Sequence, residues 1–177
     1  MIIVAGITRS GLTLTMQMLQ AGGVKCAGDH PAFECYDVGQ IPWYQLDGYA
    51  VKAVDTHLQN PPSKKCRVIR LRRNLIEQCR SINKFNNFFG IPSVNENALK
   101  ASLIRDYRKI DAWADSQHAL FVDFESLIRN PLTASVRISQ FLDMPLDIGA
   151  MKSVVVKRDT ACFDGLLELS FFPDRQE

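Results

Sequence analysis

Residues 1–23 read MIIVAGITRSGLTLTMQMLQAGG, and this stretch decides the fold. Its opening run, Met1–Ile7, is short, rich in β-branched residues and broken by Gly6, which predicts a strand. Beyond the break, Leu12, Met16, Leu19 and Gln20 recur at helical spacing and Gly22-Gly23 supplies a stop, so a helix follows. The loop between them, with Gly6 and Gly11 giving backbone freedom, turns N–H groups inward at the positive end of the helix. That makes it an anion cradle that needs no side chain. Gly6 and Gly11 fit the spacing G-x-x-x-x-G, but Leu12-Thr13 stand where a Walker A loop has Lys-Ser/Thr. Half of the equipment for a Mg²⁺-bound triphosphate is therefore missing, and the cation inside the loop is Arg9, beside Ser10.

Working outward, VKCAG (24–28) reads as a second short strand, and residues 29–48 as a structured loop rich in aromatics that forms part of a site wall. YAVKAVDTH and CRVIRLRR read as strands separated by the breaker LQNPPSKK. The second runs into a helix whose start, Asn74 with Glu77 three residues on, resembles a capping box. Leu99, Leu103, Tyr107, Ile110 and Trp113 mark one face of a long amphipathic helix. ALFVDFE is a further strand, and the helix after it carries Pro131 in its first turn and Pro145 beyond its end. Strand and helix alternate, which predicts an α/β three-layer sandwich with a mostly parallel central sheet. Residues 151–177 are the least legible part.

The chain of 177 residues has the length of one domain, 1–177. A formal net charge of +2 with 46% hydrophobic residues excludes disorder and a broad polyanion-binding surface, so no nucleic-acid partner is expected and any anion site is local. The five cysteines are scattered without a C-x-x-C pair or a leader ahead of them, and the apolar start is too brief for a membrane span. A cytoplasmic protein with no membrane partner is expected. Cys26, His30 and Cys35 match no usual zinc spacing, and Asp123 in LFVDFE reads as structural in the absence of a Walker lysine.

The motif VAGITRSGLTL resembles the 5′-phosphosulfate loop of the sulfotransferases that use 3′-phosphoadenosine 5′-phosphosulfate, whose pattern is roughly Pro-Lys/Arg-Ser-Gly-Thr-Thr. Arg9, Ser10, Gly11 and Thr13 keep that pattern, while Thr8 and Leu12 depart from it. RVIRLRRNLIEQCRS is similar to the family's strand-to-helix element, with an arginine and, eight residues later, a serine that hold the 3′-phosphate; here these are Arg73 and Ser81. LFVDFESLIRNPLTASVRISQFLDMP resembles its closing strand and helix. DTHL is similar to the Lys-Thr-His-Leu strand end of the cytosolic branch, with His57 at the general base and Asp55 where the lysine stands; Lys52 lies earlier on the same strand.

The resemblance implies a P-loop NTPase-like, sulfotransferase-like fold and the donor 3′-phosphoadenosine 5′-phosphosulfate, released as adenosine 3′,5′-bisphosphate. It implies a cofactor site at Thr8, Arg9, Ser10, Gly11, Leu12, Thr13, Arg73 and Ser81. Arg9 would stabilise the bridging oxygen, His57 would take the acceptor's proton, and no metal would be needed. The chain is shorter than usual members, which implies an open site for a sulfate acceptor (small molecule, glycan or protein), or one completed by a second subunit in a homodimer. Lys157 and Arg158 read as a solvated charge pair, the family's Arg-Lys-Gly signature being absent. Two rivals stand: a degenerate P-loop nucleotide kinase or other phosphotransferase, and a non-catalytic phosphoadenosine-binding domain. Tyr and Trp residues in IPWYQLDGY either line an acceptor pocket or pack over the sheet edge.

Overall fold

The structure, a computed structural model, describes residues 1–162 apart from Cys35, Val38, Asn60, Ser63 and Lys64. Four strands, β1 (Ile2–Gly6), β2 (Ala50–Val54), β3 (Arg67–Arg72) and β4 (His118–Asp123), form an entirely parallel sheet in the order β2-β1-β3-β4. Gly6 lies opposite Val54, and Arg72 opposite Asp123, so the carboxyl ends of the strands share one edge. Around the sheet run α1 (Leu12–Ala21), α2 (Leu75–Phe88), α3 (Glu96–Ala114), α4 (Phe124–Arg129), α5 (Pro131–Leu142) and α6 (Ile148–Ser153).

Alternation along the strands divides the core between two faces. Ile2, Val4, Ile69 and Leu71 pack with Leu19 of α1, Ile138 of α5 and Met151 of α6. Ile3, Ala5, Val51 and Val68 face the other side, where Ile7, Cys79 and Ile82 pack with Leu103, Tyr107 and Ile110 of α3. Both faces are covered, giving the expected three layers and explaining why β1 is a continuous apolar run. From β1 the chain crosses to β2 through α1 on one face, and from β3 to β4 through α2 and α3 on the other. The strand order therefore reverses beside β1, the position in an open α/β sheet where ligands characteristically bind.

Several local expectations are corrected. Residues 24–28 form one isolated bridge, Cys26 with Ala50, rather than a strand; pairing stops as the chain turns at Gly28 (φ +81), where a Cβ would stand 2.9 Å from the Phe33 backbone. Gln20 is exposed, so the apolar stripe of α1 is Leu12, Met16 and Leu19. Asn74 does cap α2, accepting from the N–H groups of Ile76 and Glu77, but its own N–H donates to Glu125 (3.0 Å) and Glu77 does not close the box. Helices α4 and α6, six residues each, are too short to leave a periodic signal. Among the described residues, no helix is long and apolar enough to cross a membrane.

Candidate active site

The loops after β1, β2 and β3 leave the carboxyl edge. After β1, the Ser10 N–H donates to the Ile7 carbonyl (3.2 Å), and Arg9 (φ +65) and Gly11 (φ +100) adopt the left-handed conformation. At Gly11 a Cβ would meet the Phe124 ring at 2.7 Å, so both backbone and space demand glycine. Gly11 caps α1 without a side chain and the first turn carries no acid, leaving the opening N–H groups without a side-chain acceptor. The Ser10 hydroxyl is fully buried with no hydrogen-bond partner. A bound anion would satisfy both.

The set Thr8–Thr13 is not uniform. Thr8 is taken up by the protein itself: its N–H donates to Asp55 Oδ1 (2.9 Å) and its carbonyl accepts from Gln78 Nε2 (2.8 Å), Gln78 being oriented by the Tyr107 hydroxyl (2.6 Å). The Leu12 side chain lies in the core and offers the cradle a backbone N–H alone. Thr13 Oγ1 accepts from Lys52 Nζ (3.3 Å).

Arg73 and Ser81 are brought together through Arg9. Arg9 Nε donates to Ser81 Oγ (3.1 Å), and its guanidinium lies 5.0 Å from the centre of the Phe85 ring, one turn beyond Ser81. Arg73 Nη1 donates to the Arg9 carbonyl (3.1 Å) and stacks on Phe124 at 4.4 Å, with Arg158 on the same ring at 5.5 Å. Arg73 Nε is buried with no hydrogen-bond partner. Burial lowers the Arg73 pKa, Arg9 and Arg158 push the same way, and Cys162 and Glu125 oppose them. Three guanidiniums held this close favour an anion among them. The Arg9 side chain runs to α2. One expectation changes here: Arg158 joins the cluster instead of forming a solvated pair with Lys157. Phe85 was detectable from its i+4 spacing to Ser81; Phe124 and Arg158 left no local signal.

After β2, Asp55 takes φ +49 and starts a 3-10 turn, Thr56–Leu58. Its carboxylate holds the Thr8 N–H, and the Gly6 N–H donates to Thr56 Oγ1 (2.9 Å). Asp55, standing where the family has lysine, is thus a strut for the first loop. Burial raises its pKa, opposed by the Thr8 hydrogen bond and by His57. His57, with 9% of its side chain exposed, sets Nε2 3.6 Å from Asp106 Oδ1 on α3, and its Nδ1 is enclosed without a partner.

Lys52 of β2 is a feature whose role the sequence left open. Its buried ammonium touches Thr13, the Ala32 carbonyl and Glu34 Oε1 (2.5 Å). It also floors a pocket of about 210 Å³ walled by Phe33, Val54 and Gln59, with Glu34, Tyr36 and Asp37 exposed at its mouth. His57 does not line this pocket, and neither does the IPWYQLDGY cluster, whose Trp43 packs against the core. Cys35, of the Cys26, His30 and Cys35 group, lies outside the described residues.

A parallel sheet covered on both faces, with a glycine-capped helix start at the point where strand order reverses, defines a P-loop-like α/β protein. Residues 1–160 match the family model described as Sulfotransferase domain, and the chain belongs to that family. Membership assigns it a transferase activity of the sulfotransferase type. No curated protein matches the chain significantly.

Proposed function

We propose that the protein transfers a sulfuryl group from 3′-phosphoadenosine 5′-phosphosulfate to a hydroxyl or amine acceptor. The observation that supports this reading is two neighbouring sets of donors at one sheet edge: the uncapped start of α1 with buried Ser10, and the Arg9, Ser81 and Arg73 cluster. A ligand phosphorylated at both ends of its ribose suits that pair. A Mg²⁺-bound triphosphate does not, because Leu12 replaces the lysine and Lys52 occupies the Thr13 hydroxyl.

When bound, the donor supplies a sulfuryl group already activated on phosphate. The N–H groups opening α1 and the Ser10 hydroxyl would hold its 5′ end, and Arg73, Ser81 and Arg9 its 3′-phosphate. Lys52, at the start of α1, would supply the positive charge where negative charge develops on departure, the part first expected of Arg9. His57 is the base the sequence offers; with Nε2 turned to Asp106, its unpartnered Nδ1 is the nitrogen that would take the proton once uncovered to the acceptor. Calorimetric titration with adenosine 3′,5′-bisphosphate, ADP and Mg²⁺-ATP tests the reading. Preference for the bisphosphate without metal supports it; preference for Mg²⁺-ATP points to a phosphotransferase, and binding of none to a non-catalytic domain.

A further inference from the structure

The pocket above Lys52 lies next to the cradle, since the ammonium at its floor also touches Thr13, the second residue of α1. Its volume of about 210 Å³ falls below the roughly 300–1,000 Å³ of sites for drug-sized ligands, which fits a single ring or a short chain and not an extended glycan. Its charge is unbalanced. Glu34 already pairs with Lys52 at 2.5 Å, so among the described residues of the lining the carboxylate of Asp37 is the excess charge. Gln59 offers an incoming polar group little, because Oε1 accepts from the Gly39 N–H and Nε2 donates to the Val54 carbonyl. Beside Asp37 stands Tyr36, its side chain exposed at the same mouth. An aromatic face with a carboxylate is the chemistry that selects a cation.

We infer that this pocket takes a small alcohol or phenol bearing an ammonium group, with its hydroxyl toward Lys52 and its cation against Tyr36 and Asp37. The inference rests on the sulfotransferase reading above. Transfer forms the bond from acceptor oxygen to sulfur while the bond from sulfur to the phosphate oxygen breaks. The electron pair leaves with adenosine 3′,5′-bisphosphate, and the hydroxyl proton passes to the Glu34 carboxylate at the Lys52 end, which takes the place of His57 for an acceptor seated here because His57 does not line the pocket.

The test titrates the full chain, with and without adenosine 3′,5′-bisphosphate, with tyramine, 4-ethylphenol and 4-hydroxyphenylpropionate, which differ chiefly in charge. Tyramine is expected to bind ~10-fold or more tightly than 4-ethylphenol, with the propionate weakest. Asp37→Asn should erase most of that gap and leave bisphosphate affinity unchanged. Equal binding of the three, tightest binding by the propionate, a preference indifferent to Asp37→Asn, or no binding at all overturns the inference. The donor reading is judged separately: a bisphosphate that does not bind overturns it even where tyramine is preferred.

Discussion

Arg73, just past β3, donates from Nη1 to the Arg9 carbonyl at 3.1 Å and so holds the loop that follows β1. The same guanidinium keeps Nε buried without a partner, a spare donor for the 3′-phosphate that the proposed function assigns to it. Hydrogen bonds to charged groups contribute about 1.5–3 kcal/mol. Arg73→Ala should therefore weaken adenosine 3′,5′-bisphosphate binding by ~10–100-fold while AMP, lacking the 3′-phosphate, loses far less. Calorimetry with both nucleotides decides: equal losses would mean that Arg73 only tethers the loop.

Ser81 accepts from Arg9 Nε and is almost wholly buried. Ser81→Ala removes that acceptor and one donor for the ligand, at a cost of about 1 kcal/mol, or ~5-fold in bisphosphate affinity. An unchanged dissociation constant would take Ser81 out of the site.

Gly11 combines φ +100 with a Cβ position 2.7 Å from Phe124. Gly11→Ala should lower unfolding stability by about 1–3 kcal/mol in a denaturant titration. Adding Phe124→Ala should relieve the clash, though not the backbone strain. A Gly11→Ala midpoint equal to that of the parent would count against a strained cradle.

Asp55 has its pKa raised by burial, so just above the unfolded carboxylate range the folded state binds more protons than the unfolded one. Its contribution to stability is then full below the unfolded value and falls as pH rises through the folded one. Asp55→Asn keeps an oxygen for the Thr8 N–H and loses the titration. The variant should gain on the parent as pH rises through that window, as read from melting temperatures at stepped pH; a constant difference at all pH values would refute the assignment.

Lys52 is buried against Thr13 and Glu34. If its ammonium meets charge that develops during transfer, Lys52→Met should cut kcat by ~10²-fold or more with bisphosphate affinity altered by only a few fold. Parallel loss of both would make it a cofactor-binding residue without a part in the transfer.

The sequence by itself determined the strand, loop and helix of residues 1–23, the alternation that makes a parallel α/β sandwich, and the placing of Arg73 and Ser81 on one strand-to-helix element. Each is a matter of local periodicity or short spacing, which the chain carries wherever it goes. Only the tertiary structure decided that the Arg9 side chain runs to Ser81, 72 residues away, that Lys52 reaches Thr13 across 39 residues, and that Asp55 props the Thr8 N–H across 47. Which way a long side chain turns depends on what packing sets beside it: the ring of Phe85 under Arg9, and the level carboxyl ends of β1 and β2 that bring Asp55 to the first loop. No spacing in the sequence encodes those neighbours, because parallel strands meet only after the chain between them has folded over the sheet.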